Sequence, residues 1–234
     1  MEIRDVTVVI TNYNYEPYVS HAIDSVMMQE GGTPNLIVVD DKSTDSSLFV
    51  IKNKKNYWNK RLKDFEIVVN AENKGVVATR NNLLDRLEGK WVIFLDSDDA
   101  LSENYVREVV ATADKMQADV VYTAFMRMDK DNNLIEYDIH IPPTYNPLRM
   151  RAKNYMHLSA LHRATDIRFR DMPALEDWVY WLEKQKRGDV FVRCETTGLY
   201  YRRHGESRNT ISGDKMIVTR QKIKEYLGNY CLGV

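Results

Sequence analysis

Short apolar runs alternate with helical patterns over the first half of the chain. The run from Val6 to Ile10 is rich in β-branched residues, and after Pro17 the apolar residues recur at helical spacing. The same order of strand and helix repeats three times more, and four further strands are predicted at 36–39, 65–69, 91–95 and 119–123. Ser102 is predicted to cap the helix after the fourth strand. Such alternation is typical of a parallel α/β sheet.

The pattern changes in the second half of the chain. Four apolar residues alternate with polar ones after the turn-forming stretch 129–133, and this predicts an antiparallel hairpin with one face in water: Ile135, Tyr137, Ile139 and Ile141. Further on, strands are predicted at 156–163 and 200–204 and a helix at 175–186. The stretch 215–227 has the pattern of an amphipathic helix.

Composition places the chain among globular proteins. It has 234 residues, of which 44% are hydrophobic and 29% charged, which suits one core and one domain. We find no apolar run long enough to span a membrane and no signal-peptide pattern at the start, so the expected location is the cytoplasm. Cys194 and Cys231 lie too far apart for a metal or redox motif, which predicts two reduced thiols in the core.

The formal net charge of −1 conceals an uneven distribution. Residues 1–144 contain 16 basic and 24 acidic residues, whereas residues 145–234 contain 17 basic and 10 acidic ones. An acidic first part and a basic second part suit a site for a metal and an anion between them. Chance and solvated surface are the alternative explanation.

Polar clusters follow four of the predicted strands. They lie at 11–15, 40–43, 70–74 and 96–99. Ligands of open α/β sheets bind outside the carboxyl ends of the strands, so a parallel sheet brings these four clusters to one rim. The sequence therefore predicts a ligand site there.

The cluster after the first strand lacks the glycine patterns of a dinucleotide site or a P-loop. A nucleotide is still a candidate ligand, because Tyr13 can stack on a base, Asp41 can accept a hydrogen bond from a ring N–H, and Thr11 can hold either. The alternative is a loop rich in Asn and Tyr for turn formation, with Asp41 and Ser43 capping the next helix.

Two acidic pairs offer further chemistry. Asp96 and Asp98 are two residues apart at the end of a buried strand, so their oxygens can share one hard cation. The alternative is a solvated turn in which Asp99 caps the following helix. Glu176 and Asp177 begin a predicted helix, where the helix dipole favours carboxylates for structural reasons alone, so position does not identify a base.

Five segments taken together resemble a known family. They are TVVITNYNYEPYVSHAIDSVMMQ, LIVVDDKSTDSS, NKGVVATRNNLLDRLEGKWVIFLDSDD, LEDW and YYRRHGES. Their order and spacing are similar to those of the family 2 glycosyltransferases, which are inverting enzymes with a GT-A fold. The resemblance is close over roughly residues 5–110 and patchier to about residue 208.

The resemblance implies an α/β architecture with a Rossmann-like, mostly parallel central sheet, flanking helices and a smaller antiparallel acceptor-side part. It suggests one domain over 1–234. Within this domain we expect a nucleotide-sugar-binding half at 1–123, an acceptor-side half at 124–210 and an amphipathic C-terminal tail at 211–234.

The resemblance also implies site residues, together with a nucleotide-sugar donor and Mn²⁺ or Mg²⁺. The nucleotide residues would be Thr11, Tyr13, Asp41 and Asp96, with Lys74 and Arg80 as additional candidates to face the phosphates. Asp98, with Asp96, would bind the metal, with His204 as an alternative ligand. Asp177 would be the general base, and Arg202, His204 and Ser207 would lie on the diphosphate side. For Arg80 a surface salt bridge is the alternative.

The expected reaction moves one sugar to a hydroxyl of a glycan or of a lipid-linked or protein-linked saccharide, without a covalent intermediate, as in polysaccharide biosynthesis. A UDP-sugar is preferred, because Tyr13 and Asp41 suit a base with a ring N–H. We expect no nucleic-acid partner and no membrane span. The stretch 215–227 could touch the inner face of an anionic membrane or only water. Alternatives are a non-catalytic nucleotide-sugar-binding module and a sugar-1-phosphate nucleotidyltransferase.

Overall fold

Strands and helices alternate through the first half of a computed structural model that describes residues 1–58, 65–87, 90–204 and 213–231. The strands are β1 (Val6–Asn12), β2 (Asn35–Asp40), β3 (Phe65–Val69), β4 (Trp91–Asp96), β5 (Ala100–Leu101), β6 (Val120–Met128), β7 (Leu134–His140), β8 (Leu161–Arg163) and β9 (Phe191–Arg202). The helices are α1 (Glu16–Met27), α2 (Ser47–Trp58), α3 (Gly75–Arg86), α4 (Tyr105–Met116), α5 (Pro147–Ala152), α6 (Glu176–Arg187) and α7 (Gly213–Cys231).

The strands form one mixed sheet in the order β3-β2-β1-β4-β8-β6-β9-β5, with β7 paired to β6. The first four strands of the chain are parallel to one another, and β8 joins β4 in the antiparallel sense. The architecture confirms the predicted α/β fold with a parallel half and an antiparallel part. Because β1 lies between β2 and β4, the loops after these three strands share one edge of the sheet.

Hydrophobic side chains cover both faces of the parallel half. On one face Val8 packs with residues of α1 and α4, and on the other Val9 packs with residues of α3 and α6. A strand that is buried on both sides needs apolar residues at every position. This explains why β1 and β4 are continuous apolar runs rather than alternating ones.

The antiparallel part differs from the predictions in strand length and exposure. Strands β6 and β9 are longer than predicted because they pair with each other over most of their length, and the strand expected at 156–163 shortens to β8. The apolar residues of the β7 hairpin arm were expected to bury one face, but they are exposed, with Tyr137 at 88%. Strand β7 pairs with β6 alone, so no second layer covers it among the described residues.

One local prediction needs correction. Asn104, not Ser102, is the residue before α4, and the Ser102 hydroxyl donates to the Asn104 side chain instead of capping the helix. The Ser102 backbone N–H donates to the carbonyl of Gly198, which fixes this segment against β9. In the core, Cys194 is buried and free, as predicted, while the side chain of Cys231 lies outside those described.

The C-terminal helix α7 uses its apolar face for the fold. Ile223 is 3% exposed, and Tyr226 and Leu227 pack against the hydrophobic core. Ile217 and Val218 remain exposed. Ile223, Tyr226 and Leu227 are therefore used by the fold, and membrane contact of 215–227 stays a prediction. Across the described residues, no helix has the length and hydropathy that crossing a bilayer requires.

Candidate active site

A cavity of about 770 Å³ lies at the carboxyl ends of β1, β2 and β4. Its lining joins residues from the predicted rim to residues from the second half of the chain. The rim supplies Thr11, Tyr13, Asp41, Arg80, Asp96, Ser97, Asp98 and Asp99, and the opposite side consists of residues 154–159 and 173–177 with Phe125, His140 and Tyr201. The structure thus brings all four predicted polar clusters, the third through Asn73, and the Asp177 helix to one cavity.

The end of the cavity below β1 and β2 contains the predicted nucleotide residues. Asp41 is buried and accepts three hydrogen bonds, from the Asn70 amide and from the backbone N–H groups of Lys74 and Gly75. Its carboxylate therefore caps α3, whereas the structural alternative had it cap the next helix, α2, and it also lines the cavity. Tyr13 is 41% exposed at the same end.

Lys74 takes part in this arrangement through its main chain. Its N–H donates to Oδ1 of Asp41 over 2.9 Å, while its side chain is absent from the described lining of the cavity. The next residue, Gly75, has a φ of +78°, a conformation that favours glycine. The turn into α3 is therefore built around the Asp41 carboxylate.

The acidic turn after β4 places three carboxylates together. One oxygen from each of Asp96, Asp98 and Asp99 lies within 4.8 Å of the others. Burial and the neighbouring Asp96 charge raise the pKa of Asp98, and burial raises the pKa of Asp99 well above its usual value. The three carboxylates repel one another when they are charged, and a hard divalent cation bound by their oxygens would offset that repulsion. The donor set therefore fits Mg²⁺ or Mn²⁺.

Arg80 connects the acidic turn to α6. Its guanidinium is almost fully buried and donates to Asp96 over 2.7 Å and to Glu176 over 2.9 Å. This corrects the surface salt bridge considered above, because the ion pairs are internal. Arg80 therefore holds the two acidic segments together, and because it also lines the cavity, its contact with the phosphates stays a prediction.

Arg202 lies behind the acidic turn. It is 1% exposed, its Nε donates to the Asp98 carbonyl over 2.6 Å, and its Nη1 donates to the carbonyls of Asp129 and Lys130. Its Nη2 lies 3.0 Å from Nδ1 of His21, and Arg202 is absent from the described lining of the cavity, so its position beside the diphosphate stays a prediction. Arg202 therefore supports the backbone of the acidic turn.

His204 contacts the acidic turn directly. Its Nε2 lies 3.0 Å from Oδ2 of Asp98, and its ring packs against Tyr15 and Tyr18. With 3% of its side chain exposed, His204 orients Asp98 and shields it from water. Ser207, predicted for the same loop, lies outside the described residues.

Asp177 occupies the far side of the cavity at the start of α6. The Asn154 amide donates to its Oδ2 over 2.9 Å, and the backbone N–H of Trp178 donates to its Oδ1 over 2.8 Å. Burial and the adjacent Glu176 charge raise the pKa of Asp177 to about 7. A carboxyl with a pKa near 7 suits a general base.

Leu175, the residue before α6, has a left-handed φ of 58°. Bulky residues rarely adopt this conformation, which costs about 1–3 kcal/mol.

Comparison with known proteins agrees with this geometry. A model of glycosyl transferase family 2 matches residues 7–178, which is more than half of the chain. The chain belongs to glycosyl transferase family 2. The family predicted from the sequence segments is confirmed, and the match runs from β1 through the acidic turn to the first residues of α6.

Several relatives in this family are much longer than the chain. A teichoic acid poly(glycerol phosphate) polymerase of Staphylococcus epidermidis is 28% identical over 205 residues, which cover 84% of this chain and 28% of the relative. A crystal structure of Staphylococcus aureus TarS in complex with UDP-GlcNAc matches with a TM-score of 0.74 at 21% identity, over 94% of this chain and 65% of that one. The chain spans less than two thirds of either protein.

A more distant structure has the same fold. The mannosyltransferase PcManGT of Pyrobaculum calidifontis, in complex with GDP-Man and Mn²⁺, matches with a TM-score of 0.62 at 15% identity, over 84% of this chain and 57% of that one. At these identities the structural likeness shows the shared GT-A fold of the family 2 domain.

The acceptor-side wall of this family 2 site was missing from the sequence predictions. Asn154 holds Asp177, and Tyr155 and His157 line the cavity beside it. Phe125 and His140 stack on one another at 4.7 Å between ring centroids and complete the wall. Asn154, Tyr155 and His157 follow the prolines at 142, 143 and 147 without periodicity, so no pattern marked them. The hydrogen bond from Asn154 depends on a fold contact across 23 positions.

Proposed function

We propose that this family 2 domain transfers one sugar from a nucleoside-diphosphate sugar to a hydroxyl group, with inversion at the anomeric carbon. The observation that supports this most directly is that Tyr13 and Asp41, the acidic turn and Asp177 line a single cavity. A donor that binds its nucleobase at Tyr13 and Asp41 and extends past the acidic turn would have its anomeric carbon between that turn and Asp177. A product saccharide would then leave on the acceptor side.

A UDP-sugar is the proposed donor. Asp41 uses three hydrogen-bond positions on its carboxylate, and about four lone-pair sites exist on such a group, so one acceptor site remains for the ring N–H of uracil. Tyr13 is exposed beside it and can stack on the base. The UDP-GlcNAc complex of TarS supports this choice of nucleotide. Thr11 and the side chain of Lys74 remain proposed contacts to the nucleotide.

The acidic turn is proposed to hold Mn²⁺ or Mg²⁺ through Asp98, with Asp96 as second ligand. Oδ1 of Asp96 accepts from Arg80, so its other oxygen is available, and His204 fixes the orientation of Asp98. When bound, such an ion neutralises the charge that develops on the departing diphosphate. The Mn²⁺ in the PcManGT structure supports this assignment.

Asp177 is proposed to take the proton of the acceptor hydroxyl. As the acceptor oxygen forms its bond to the anomeric carbon, the bond from that carbon to the diphosphate oxygen breaks, and the proton passes to the Asp177 carboxylate. Asn154 and the Trp178 N–H hold the carboxylate in place during this step. Of the other carboxylates in the described lining, Asp96 and Glu176 are paired with Arg80, and Asp98 is assigned to the metal. The proposal therefore assigns none of them as a nucleophile and expects a single displacement with inversion.

The test combines donor turnover with variants of the two assigned groups. Purified protein is incubated with UDP-GlcNAc, UDP-glucose or GDP-mannose, Mn²⁺ and a panel of saccharide acceptors, and release of nucleotide and formation of product are measured. Asp98→Asn and Asp177→Asn should each lower transfer by at least about a hundredfold, the lower end of the contribution of general acid–base catalysis. Asp114→Asn, on the exposed surface near the N-terminus, should keep full activity.

The outcomes separate the alternatives. Full transfer by either active-site variant would contradict the assigned roles. Donor-dependent stabilisation without transfer or donor hydrolysis, in the presence of metal, would favour the non-catalytic nucleotide-sugar-binding module. Release of pyrophosphate from a nucleoside triphosphate would favour the nucleotidyltransferase.

A further inference from the structure

One wall of the cavity comes from a segment of the chain that contains no acidic residue. Between Asp138 and Asp166 there are 27 residues, with four Lys or Arg and three His among them. This segment supplies residues 154–159 of the cavity lining, on the same side as Asp177. No Lys or Arg of this segment lines the cavity itself, and the same side of the lining includes Glu176 and Asp177, so the basic charge of the segment lies outside the cavity.

Helix α5 fixes the position of the basic residues relative to the proposed base. Asn146 caps this helix by accepting from the backbone N–H groups of Leu148 and Arg149. Met150 is fully buried, and its carbonyl accepts from the indole of Trp178 over 2.6 Å. Because Trp178 follows Asp177 in α6, α5 is held directly to the helix that carries the base.

Two exposed cations lie beside this wall, on α5 and at its C-terminal end, outside the residues that line the cavity. Arg149 and Lys153 are both exposed, and within the described part of the chain neither makes an ion pair. Other cations of the acceptor-side half have structural partners: Arg163 stacks on Trp91, Arg168 pairs with Asp85 and Arg170 pairs with Glu183. The charges of Arg149 and Lys153 are thus available to a ligand.

Both charges act on residues that line the cavity. Burial raises the pKa of Tyr155, and the Arg149 charge opposes this rise. Burial lowers the pKa of His140, and the charges of Arg127 and Lys153 lower it further. Arg127 is paired with Asp138, whereas Arg149 and Lys153 have no ion pair among the described residues. We call these two residues the acceptor rim, as distinct from the rim at the carboxyl ends of the strands, and their double substitution the rim variant.

We propose that Arg149 and Lys153 bind phosphodiester groups of the acceptor, so that the acceptor is an anionic polyol-phosphate chain rather than a neutral glycan. This inference rests on the proposed transferase function and specifies its acceptor. A guanidinium presents two parallel donors to phosphate oxygens, and an ammonium adds a compact charge. A polyol-phosphate chain carries free hydroxyl groups between its phosphates, so a hydroxyl can reach Asp177 while the flanking phosphates stay at the rim.

The experiment measures acceptor binding without donor. The probes are a fluorescently labelled glycerol-phosphate oligomer and a labelled neutral dextran oligomer of similar length. Arg149→Glu/Lys153→Glu is compared with wild type and with Lys52→Glu/Lys115→Glu, which changes the net charge equally at exposed positions in α2 and α4. We expect wild type and control to bind the phosphate oligomer with similar affinity, and the rim variant to bind at least about tenfold more weakly.

Salt provides a second readout. Binding of the phosphate oligomer by wild type should weaken as ionic strength rises, because exposed charges are screened. The rim variant should show a smaller dependence on salt than the control. If the rim variant melts early, Arg149→Gln/Lys153→Gln, which avoids charge reversal, replaces it.

Other results would overturn the inference. These are equal affinity of wild type for the phosphate and dextran oligomers, equal losses in the rim and control variants, and binding to phosphatidylglycerol vesicles that the phosphate oligomer does not displace. Binding of UDP with Mn²⁺ is measured on the same samples. Normal UDP binding with no preference for phosphate would reject the acceptor inference alone, whereas absent UDP binding would reject the proposed function.

Discussion

The raised pKa of Asp177 links a single carboxyl group to the pH at which the enzyme would work. The base must be deprotonated to accept a proton, and its pKa lies at about 7. We predict that the transfer rate rises with pH through neutrality and falls about tenfold per pH unit well below pH 6. Initial rates across a pH series with saturating donor measure this directly.

The cause of the shift can be tested by substitution. Glu176→Gln removes a negative charge that raises the pKa of Asp177, so the acid limb of the profile should move to lower pH. Asp171→Asn changes an exposed carboxylate of the preceding loop and should leave the limb in place. An unchanged profile in Glu176→Gln would contradict the electrostatic explanation.

The same group has a consequence for stability. The folded state holds the Asp177 proton more tightly than the unfolded chain does. The contribution of Asp177 to the free energy of unfolding therefore decreases as pH rises from about 4 to 7. Asp177→Asn removes the free-energy cost of the buried, charged carboxylate above pH 7. We predict a melting temperature higher by roughly 2–4 °C, the shift that about 1 kcal/mol produces in a chain of this size. A lower melting temperature at pH 8 would contradict the burial argument.

Arg80 is a second residue with a sharp energetic prediction. Arg80→Met leaves the buried Glu176 carboxylate without its ion-pair partner, and breaking a buried pair in this way costs about 3–5 kcal/mol. Arg86 lies on the same helix and pairs with Glu66 at the surface, so Arg86→Met should cost less than about 1 kcal/mol. Urea unfolding of both variants measures the difference, and similar losses would contradict the internal role of Arg80.

At the level of elements, Gly198 allows α4 and β9 to pack closely. A Cβ at this position would lie 2.1 Å from the Tyr105 ring, and the Tyr105 hydroxyl in turn donates to the Ser159 carbonyl at the cavity wall. We predict that Gly198→Ala destabilises the protein by about 1–3 kcal/mol, the usual cost of overpacking.

A matched change tests whether this cost is steric. Gly228 lies in α7 with nothing near its missing Cβ, so Gly228→Ala should be neutral or stabilising because alanine favours helix. Chemical unfolding of the two variants under identical conditions decides the question. Equal effects would mean that chain entropy rather than the contact with Tyr105 sets the cost.

The elements also show which kinds of pattern carry structural information. Strands β1, β2 and β4 were predicted within two residues because burial on both faces leaves an apolar run that needs no knowledge of partners. Strand β9 was predicted only at its end, since its length depends on pairing with β6, about 70 residues earlier. The alternating pattern of β7 was misleading, because alternation predicts a strand but not a layer that covers it.

The candidate site shows the same division. Asp41 and Asp96 follow strands directly, so the sheet topology alone predicted that they meet. Asn154 and the internal ion pairs of Arg80 could not be predicted, because both depend on how distant segments pack. The burial of Arg202 could not be predicted either, because a sequence motif gives the order of residues but not the side of the turn on which a side chain lies.

For the whole molecule, the cavity joins both halves of the chain, so a ligand that fills it should stabilise the native state as a unit. We predict that UDP with Mn²⁺ raises the melting temperature, by an amount that corresponds to about 2.7 kcal/mol at a hundredfold excess over the dissociation constant. GDP should give a smaller shift if Asp41 selects uracil. Differential scanning fluorimetry with each nucleotide, with and without metal, measures this.

The variant that isolates the metal is Asp98→Asn. It should lose the additional shift that Mn²⁺ gives to UDP, while Asp114→Asn retains it. A shift from UDP that is the same with and without Mn²⁺ in the wild type would argue against a metal held by the acidic turn.

The contacts of Arg202 bear on how such a domain can diversify. Its guanidinium anchors the acidic turn and the β6–β7 turn through carbonyls of Asp98, Asp129 and Lys130. Every amino acid provides a main-chain carbonyl, so substitutions in the hairpin leave this anchor intact as long as the path of the backbone is kept. Sequence changes in the hairpin can therefore occur without displacing the acidic turn.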